Sequence, residues 1–302
     1  MNPNNYSKIS LFGIEMNPPR SLDLGFMDIK LYGLMIALGL MLAVVYGLRQ
    51  KKRFGVTEDQ ILDGVLIIVP ISVICARLYY CAFEWDSYAD NPISILHIWK
   101  GGIAIYGAVI GALVSAAIYC RVRKIKIATA LDLTVLGFLI GQTIGRWGNF
   151  FNREAVGAMA EGSKWFMRMG LYNNLTDTME YFHPTFLYES LWNAIGFVGL
   201  HFWSKRRQYD GQIFLGYLAW YGLGRAFIEG LRVDSLWWGP FRVSQLLAIV
   251  TCVIATGLLI YLNFRKHDPA NLYVNQVSQP PSDEEGVTAE AVTEGETSTP
   301  EE

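Results

Sequence analysis

Seven stretches of mostly apolar residues run along the chain, at approximately 29–48, 61–83, 102–120, 128–145, 185–203, 211–228 and 243–264. A helix needs roughly 20 such residues to cross the hydrocarbon of a bilayer. So many long apolar runs in one chain argue against a large soluble helical core. The pattern predicts an all-α polytopic membrane protein with about seven transmembrane helices, the sixth being the least apolar of them.

The polar positions between these runs add a direction. Basic residues cluster after the first run (Arg49, Lys51, Lys52, Arg53), the third (Arg121, Arg123, Lys124, Lys126), the fifth (Lys205, Arg206, Arg207) and the seventh (Arg265, Lys266). These are alternate loops, so all of them fall on one side, which the positive-inside rule makes cytoplasmic. The N-terminus and the 84–101, 146–184 and 229–242 loops are then expected outside, and the C-terminus in the cytoplasm. The first apolar run starts late and is long enough to span, so no cleavable signal peptide is expected. The 147–183 segment is too long for a simple connection and reads as a small extracytoplasmic cap. Within it, Trp165, Phe166 and Met167 are candidates for contact with lipid or a substrate peptide, or for ordinary packing.

Composition agrees with this picture. Of 302 residues, 52% are hydrophobic and only 17% charged, with mean hydropathy +0.25. The stretch from His267 to Glu302 differs: it holds nine acidic residues, no Lys or Arg, and much Pro, Ser, Thr and Gly. It has too little apolar surface to fold and is expected to be a disordered cytoplasmic tail behind a membrane body of residues 1–266. With the tail set aside, 25 basic residues face 18 acidic ones, a balance that suits anionic lipid and gives no reason to expect a nucleic-acid partner. The four cysteines, Cys75, Cys81, Cys120 and Cys252, lie inside the apolar runs without metal-ligand or redox-motif spacing. The four histidines are scattered, so neither a metal nor a cofactor is expected.

Two constellations carry candidate chemistry. Tyr221, Arg225, Glu229 and Arg232 stand at helical spacing on one face. Facing lipid they would be unstable, so they belong to the bundle interior or a wet cavity. A structural Arg225–Glu229 pair is the plain alternative, but one carboxylate cannot satisfy two guanidiniums. The second constellation is the run Gly145 to Gly157, which begins where the fourth apolar run ends. In it, Arg146 is suited to bidentate phosphate binding, Asn149 adds neutral donors, and Glu154 is placed to hold Arg146 or Arg153. Arg77 lies in the outer half of the second run, with lipid phosphate, Glu84 or a backbone carbonyl as possible partners. Tyr32 and Tyr106 stand near the outer ends of their runs, where tyrosine is often an interface anchor. Glycines around Tyr106 permit close packing that would turn it toward a cavity. Together these residues describe an outward-facing, arginine-lined cavity suited to a phospholipid.

The residues Tyr32-Gly33, Ala76-Arg77, Gly101-Gly102, Gly145 to Gly157, His183 to Glu189 and Tyr221 to Asp234 resemble the prolipoprotein diacylglyceryl transferases, bacterial membrane enzymes of lipoprotein maturation. The resemblance covers approximately 20–265. It implies transfer of the sn-1,2-diacylglyceryl group of phosphatidylglycerol to the lipobox cysteine of a prolipoprotein signal peptide, at the outer face of the plasma membrane. A thioether forms and glycerol phosphate leaves. Arg146, Arg225, Tyr106 and Tyr32 are then the expected catalytic residues. Arg146, Asn149, Glu154, Gly157, Glu229, Arg232 and Arg77 are expected to bind substrate. One departure matters: many members carry histidine where this chain has Tyr106, and tyrosine is typical of Gram-positive versions. An unperturbed phenol titrates near 10, so Tyr106 is either a phenol with a lowered pKa or a hydrogen-bond donor. A transporter, the chief alternative, would show repeats and interrupted helices in corresponding halves, and none is seen. A seven-helix retinal receptor lacks its lysine here, and an intramembrane serine protease lacks its motif. A different phospholipid head-group enzyme is opposed only by the family motifs.

Overall fold

A computed structural model describes residues 2–25, 28–97, 101–160, 162, 164, 167–233 and 237–278. Seven long helices dominate these residues: α1 (Leu31–Phe54), α2 (Glu58–Phe83), α3 (Ile105–Val122), α4 (Ile127–Asn152), α5 (Thr185–Ser204), α6 (Gln212–Glu229) and α7 (Val243–Asn263). Five of them, α1 to α4 and α7, are long and apolar enough to cross a membrane. The other two are diluted by polar and aromatic positions, among them Glu189, Asn193 and His201 on α5 and Arg225 and Glu229 on α6. Large apolar side chains such as Leu66, Leu113, Val122, Leu247 and Val253 are exposed on the outer faces of the helices. In water such faces would be a liability; in lipid they are the normal exterior. The chain is a multi-pass membrane protein.

Close packing between helices follows from small residues at the contacts. A Cβ added to Gly107 would meet the Cys75 carbonyl oxygen at 2.5 Å, so α3 can lie against α2 only because nothing projects there. The end of the bundle that carries the basic clusters is knit together. Arg53 donates to Ser204 Oγ at 3.1 Å, and Arg123 pairs with Asp63 at 3.0 Å. Asp132 is fully buried and accepts the backbone N–H of Gly211 and of Phe214, each at 2.8 Å. It thereby satisfies donors at the start of α6 that the helix itself leaves open.

The opposite end departs from an all-α reading. A four-stranded antiparallel sheet in the order β2-β1-β5-β6 is built from β1 (Tyr6–Leu11), β2 (Ile14–Met16), β5 (Met169–Asn173) and β6 (Thr178–Phe182). Short two-stranded ribbons join β3 (Ser21–Asp23) to β4 (Asp28–Lys30) and β7 (Trp237–Trp238) to β8 (Phe241–Arg242). The cap expected within 147–183 is therefore completed by the N-terminal residues. Ile9, Met169 and Leu171 of the sheet form a core with Phe150 of α4 and Phe186 of α5. This fixes the sheet over the ends of those two helices. Trp165 and Phe166 lie outside the described residues; Met167 is partly exposed and its carbonyl accepts the Tyr188 hydroxyl at 2.9 Å.

Two boundaries also move. α4 continues through Asn152, so Arg146 and Asn149 are helical residues rather than the start of a loop. The helix persists because this last stretch still buries Gly148 and Phe150 while turning its polar side toward other polar groups. The tail begins folded: a short helix α8 (Tyr273–Ser278) buries Tyr273 beside Phe54 and Tyr119. A charge count over the whole tail hides these few aromatic and aliphatic residues. The expected disorder beyond 278 concerns residues outside the described ones.

Candidate active site

Beneath the cap, ionised side chains from α4, α5, α6 and the residue run after α6 converge on Glu189. This carboxylate is only 4% exposed and pairs with Arg146, with Arg225 at 3.0 Å and with Arg232 at 3.5 Å. Arg225 makes a second pair with Glu229, one helical turn on, at 2.6 Å. Among the described residues, three guanidiniums thus share Glu189 and Glu229. Glu189 lies in the expected fifth span and is not among the residues expected to act. The signal that could have found it is the charge imbalance on α6, which demands a second carboxylate inside the bundle.

The other residues of the 145–157 run hold this arrangement. Asn149 Oδ1 accepts from Arg146 at 3.4 Å, while its Nδ2 donates to Glu154 at 3.1 Å. Glu154 also accepts from Asn152 at 3.1 Å, so it orients two asparagines rather than gripping Arg146 or Arg153. Arg153 points elsewhere: it is buried, adopts φ +57°, and donates to the Phe151 and Pro18 carbonyls and to Asn17. Burial, and then the neighbouring Arg20, lower its pKa. It ties the N-terminal segment to the motif. Tyr32 lies flat against Gly148, where an added Cβ would come within 2.6 Å of its ring. Gly157 donates to the His183 carbonyl at 2.9 Å and pairs as an isolated bridge with Arg232. An added Cβ there would press on His183, Thr185 and the Leu231 carbonyl. Gly157 therefore places Arg232 rather than offering a side chain of its own.

Two expected residues stay apart from the cluster. Arg77 is buried and wholly engaged by backbone, donating to the carbonyls of Ser94, Ile95, Gly101 and Gly102 at 2.7–2.9 Å, with the Tyr88 ring 5.1 Å away. Of its possible partners the carbonyls win, because they satisfy the whole guanidinium at once. Tyr106 begins α3 with 59% exposure, its ring 6.4 Å from that of Tyr79. Tyr221 stacks on Tyr217 and lines a cavity of about 10 Å³ with Glu189, Trp192, Asn193 and Arg225. That space holds about one water, so the α5–α6 side of the cluster is closed. Arg146, whose side chain is 24% exposed, is the most open of the three arginines. A ligand must meet it first.

Converging, partly exposed guanidiniums have the chemistry to bind a phosphate ester. The profile of the prolipoprotein diacylglyceryl transferases matches residues 19–261, which include every residue just described apart from Asn17 and Pro18. A phosphatidylglycerol–prolipoprotein diacylglyceryl transferase of Listeria welshimeri is 42% identical over 263 residues, covering 85% of this chain and 94% of its own. A protein of the same name from Lysinibacillus sphaericus is 42% identical over 275 residues, 88% of this chain and 99% of its own. One from Limosilactobacillus reuteri is 40% identical over 267 residues, 86% and 96% respectively. With a family profile matched over most of its length and relatives aligned nearly end to end, the chain belongs to the prolipoprotein diacylglyceryl transferase family.

Proposed function

We propose that this protein transfers the diacylglyceryl group of phosphatidylglycerol to the lipobox cysteine thiol of a prolipoprotein, in the plasma membrane and at its outer face, with all seven long helices spanning. The observation that carries the reading is the convergence of Arg146, Arg225 and Arg232 on Glu189 inside the family-matched region. The alternation of basic clusters supports the orientation.

In this reading Arg146 receives the phosphodiester, and Arg225 engages it as Glu189 yields part of its ion pairing. The thiolate sulfur attacks the glycerol carbon that bears the phosphate. A carbon–sulfur bond forms, the carbon–oxygen bond breaks, and its electron pair leaves on the phosphate oxygen. The diester carries one negative charge and the departing glycerol phosphate nearly two, so the arginines bind the leaving group better than the substrate. That difference is what accelerates the step. The same positive charge favours thiolate over thiol near neutral pH. Arg232 and Glu229 set the orientation of Arg225, and Asn149 and Glu154 that of Arg146. Arg77 acts by holding the backbone at Ser94, Ile95, Gly101 and Gly102, and Tyr106, out on α3, meets the lipid as a hydrogen-bond donor at most.

The test is a reconstituted reaction of purified protein, phosphatidylglycerol bilayers and a lipobox peptide. It is read as mass gain on the cysteine together with release of glycerol phosphate. A peptide with serine for cysteine is expected to gain nothing. Well-folded protein that modifies no peptide across several lipid compositions would sink the transferase reading.

A further inference from the structure

At the end of the bundle remote from Glu189, a second set of cations surrounds a cavity that the transfer reaction does not use. It measures about 570 Å³ and is bounded by Arg207, Gln208, Asn263, Arg265, Lys266, His267, Pro269 and Leu272. The size is that of a head-group site rather than of a bound ion or a single water. It lies between the turn that joins α5 to α6 and the stretch that leads from α7 to α8.

The chemistry of its wall is basic and partly unsatisfied. Arg207 is buried, yet none of its three guanidinium nitrogens makes a hydrogen bond among the described residues. Its closest carboxylate is Asp210 at 3.7 Å, beyond hydrogen-bond range, and its other neighbour is the Phe54 ring at 4.2 Å. A buried guanidinium in that condition is costly unless a further acceptor arrives. Lys266 and Arg265 add charge on the α7 side, Arg265 being turned onto the Tyr261 hydroxyl and ring. Neutral groups are already ordered: Asn263 Oδ1 accepts from Gln212 at 3.1 Å, and the His267 ring stacks on Tyr209 at 4.4 Å. The nearby carboxylates are mostly engaged elsewhere. Asp210 binds Lys126 and the Tyr273 N–H through Oδ2, each at 3.0 Å, and turns only Oδ1 toward Arg207; Asp132 holds the start of α6, and Asp268 caps the turn at Ala270.

We propose that this cavity binds a phosphate group, presented by the head group of an anionic phospholipid of the inner leaflet. Basic pockets between helix ends on the cytoplasmic side recognise lipid phosphate in this way. Arg207 lends positive charge from behind the wall, Lys266 closes the rim, and Arg265 rotates from Tyr261 to share the charge. This site is independent of the transfer site, from which it is separated along α4 by the distance between Asp132 and Arg146, roughly 21 Å for a helix of that length.

The experiment is equilibrium binding of short-chain phosphatidic acid, and separately of inorganic phosphate, to the purified full chain in phosphatidylcholine nanodiscs. We expect saturable binding of the phosphatidic acid that weakens at least tenfold in Lys266→Ala combined with Arg265→Ala. Both side chains are at the surface, so the fold is not at risk. Arg207→Gln should weaken it as much, and the same losses are expected in an Arg146→Ala background, where binding of the lipid at the transfer site is suppressed. Competition by millimolar inorganic phosphate would assign recognition to the phosphate alone. Failure to compete, with lipid binding intact, would assign it to the lipid head group. Unchanged binding in the double variant, measured in that Arg146→Ala background, would overturn the proposal. So would a full chain that binds nothing while a chain ending at residue 278 binds tightly, because the acidic tail would then be the occupant.

Discussion

The two ends of α4 solve the same problem with opposite outcomes. Near its start, Asp132 is fully buried and spends both oxygens on backbone N–H groups at the head of α6. Near its end, Arg146 meets Glu189, a carboxylate paired with three guanidiniums. A carboxylate satisfied by backbone is fixed for as long as the helix exists. A carboxylate satisfied by long, partly exposed side chains can exchange one of them for a ligand. Burial of charge does not distinguish a structural group from a functional one here; the mobility of its partners does. The exposure gradient from Arg232 through Arg225 to Arg146 gives the Glu189 cluster a direction as well, Arg146 being its most open guanidinium.

The comparison breaks first if Arg146 proves dispensable. Arg146→Ala removes the entry donor while leaving Arg225 and Arg232 on Glu189. Loss of one such preorganised donor lowers kcat by roughly 10²–10³-fold. The expected result is that loss, with thermal unfolding unchanged because Arg146 is not a core residue. A fall in stability with normal activity per folded molecule would reverse the assignment.

At the other end the expectation is inverted. Asp132→Ala leaves two N–H groups at the start of α6 without their acceptor. Each unsatisfied buried group costs about 1–3 kcal/mol. The chain should therefore lose roughly 2–5 kcal/mol of stability, seen as a lowered thermal midpoint in detergent. Transfer by the surviving folded fraction should remain near wild type. Selective loss of catalysis at full stability would mean that Asp132 communicates with the outer site.

Which parts of this were legible in the sequence follows from the range of the forces involved. Lipid imposes its demand on every turn of a spanning helix, so the apolar runs place five of the seven long helices to within three residues, while α1 and α4 run on six and seven residues past their apolar runs into polar sequence. The four-stranded sheet leaves no such trace, because β1 and β5 pair across more than 150 residues and neither strand is marked by its own composition. The site divides in the same way. Arg225 and Glu229 stand one turn apart, and the period announces them. Glu189 becomes a partner only when α5 is laid beside α4 and α6. Arg77 was visible as a buried charge, but its four carbonyl partners come from a loop whose path the sequence does not state. Glu154 was visible as an anion beside two arginines, and local geometry gave it two asparagines instead.

A finer test lies in Gly157, which touches no charge yet seats Arg232. The added methyl of Gly157→Ala would meet backbone at the Leu231 carbonyl 3.0 Å away, so the segment must shift. Displacement of positioned groups by a fraction of an ångström lowers turnover sharply; we expect roughly tenfold to a hundredfold here. Lipid binding at the remote basic cavity should not change. Combining Gly157→Ala with Arg232→Ala should give little more than Arg232→Ala alone, as expected when two changes act through one group. Independent, multiplying losses would show that the glycine serves the site by another route.

The smallest expected effect belongs to Tyr106, and it sharpens the comparison most. If charge placed on Glu189 is what drives transfer, then a phenol that stands 59% exposed at the start of α3 and packs near Tyr79 contributes one hydrogen bond at most. A neutral hydrogen bond contributes about 0.5–1.5 kcal/mol, so Tyr106→Phe should lower kcat/KM by roughly twofold to tenfold. Its pH profile should keep the wild-type shape. Were Tyr106 the proton acceptor for the thiol, the loss would be far larger and the rising, acid-side limb of the profile would disappear. The pH dependence therefore separates the two roles even if the rates alone do not. A retained rising limb places the activation of sulfur with the arginines, whereas its loss moves that step from α4, α5 and α6 to α3.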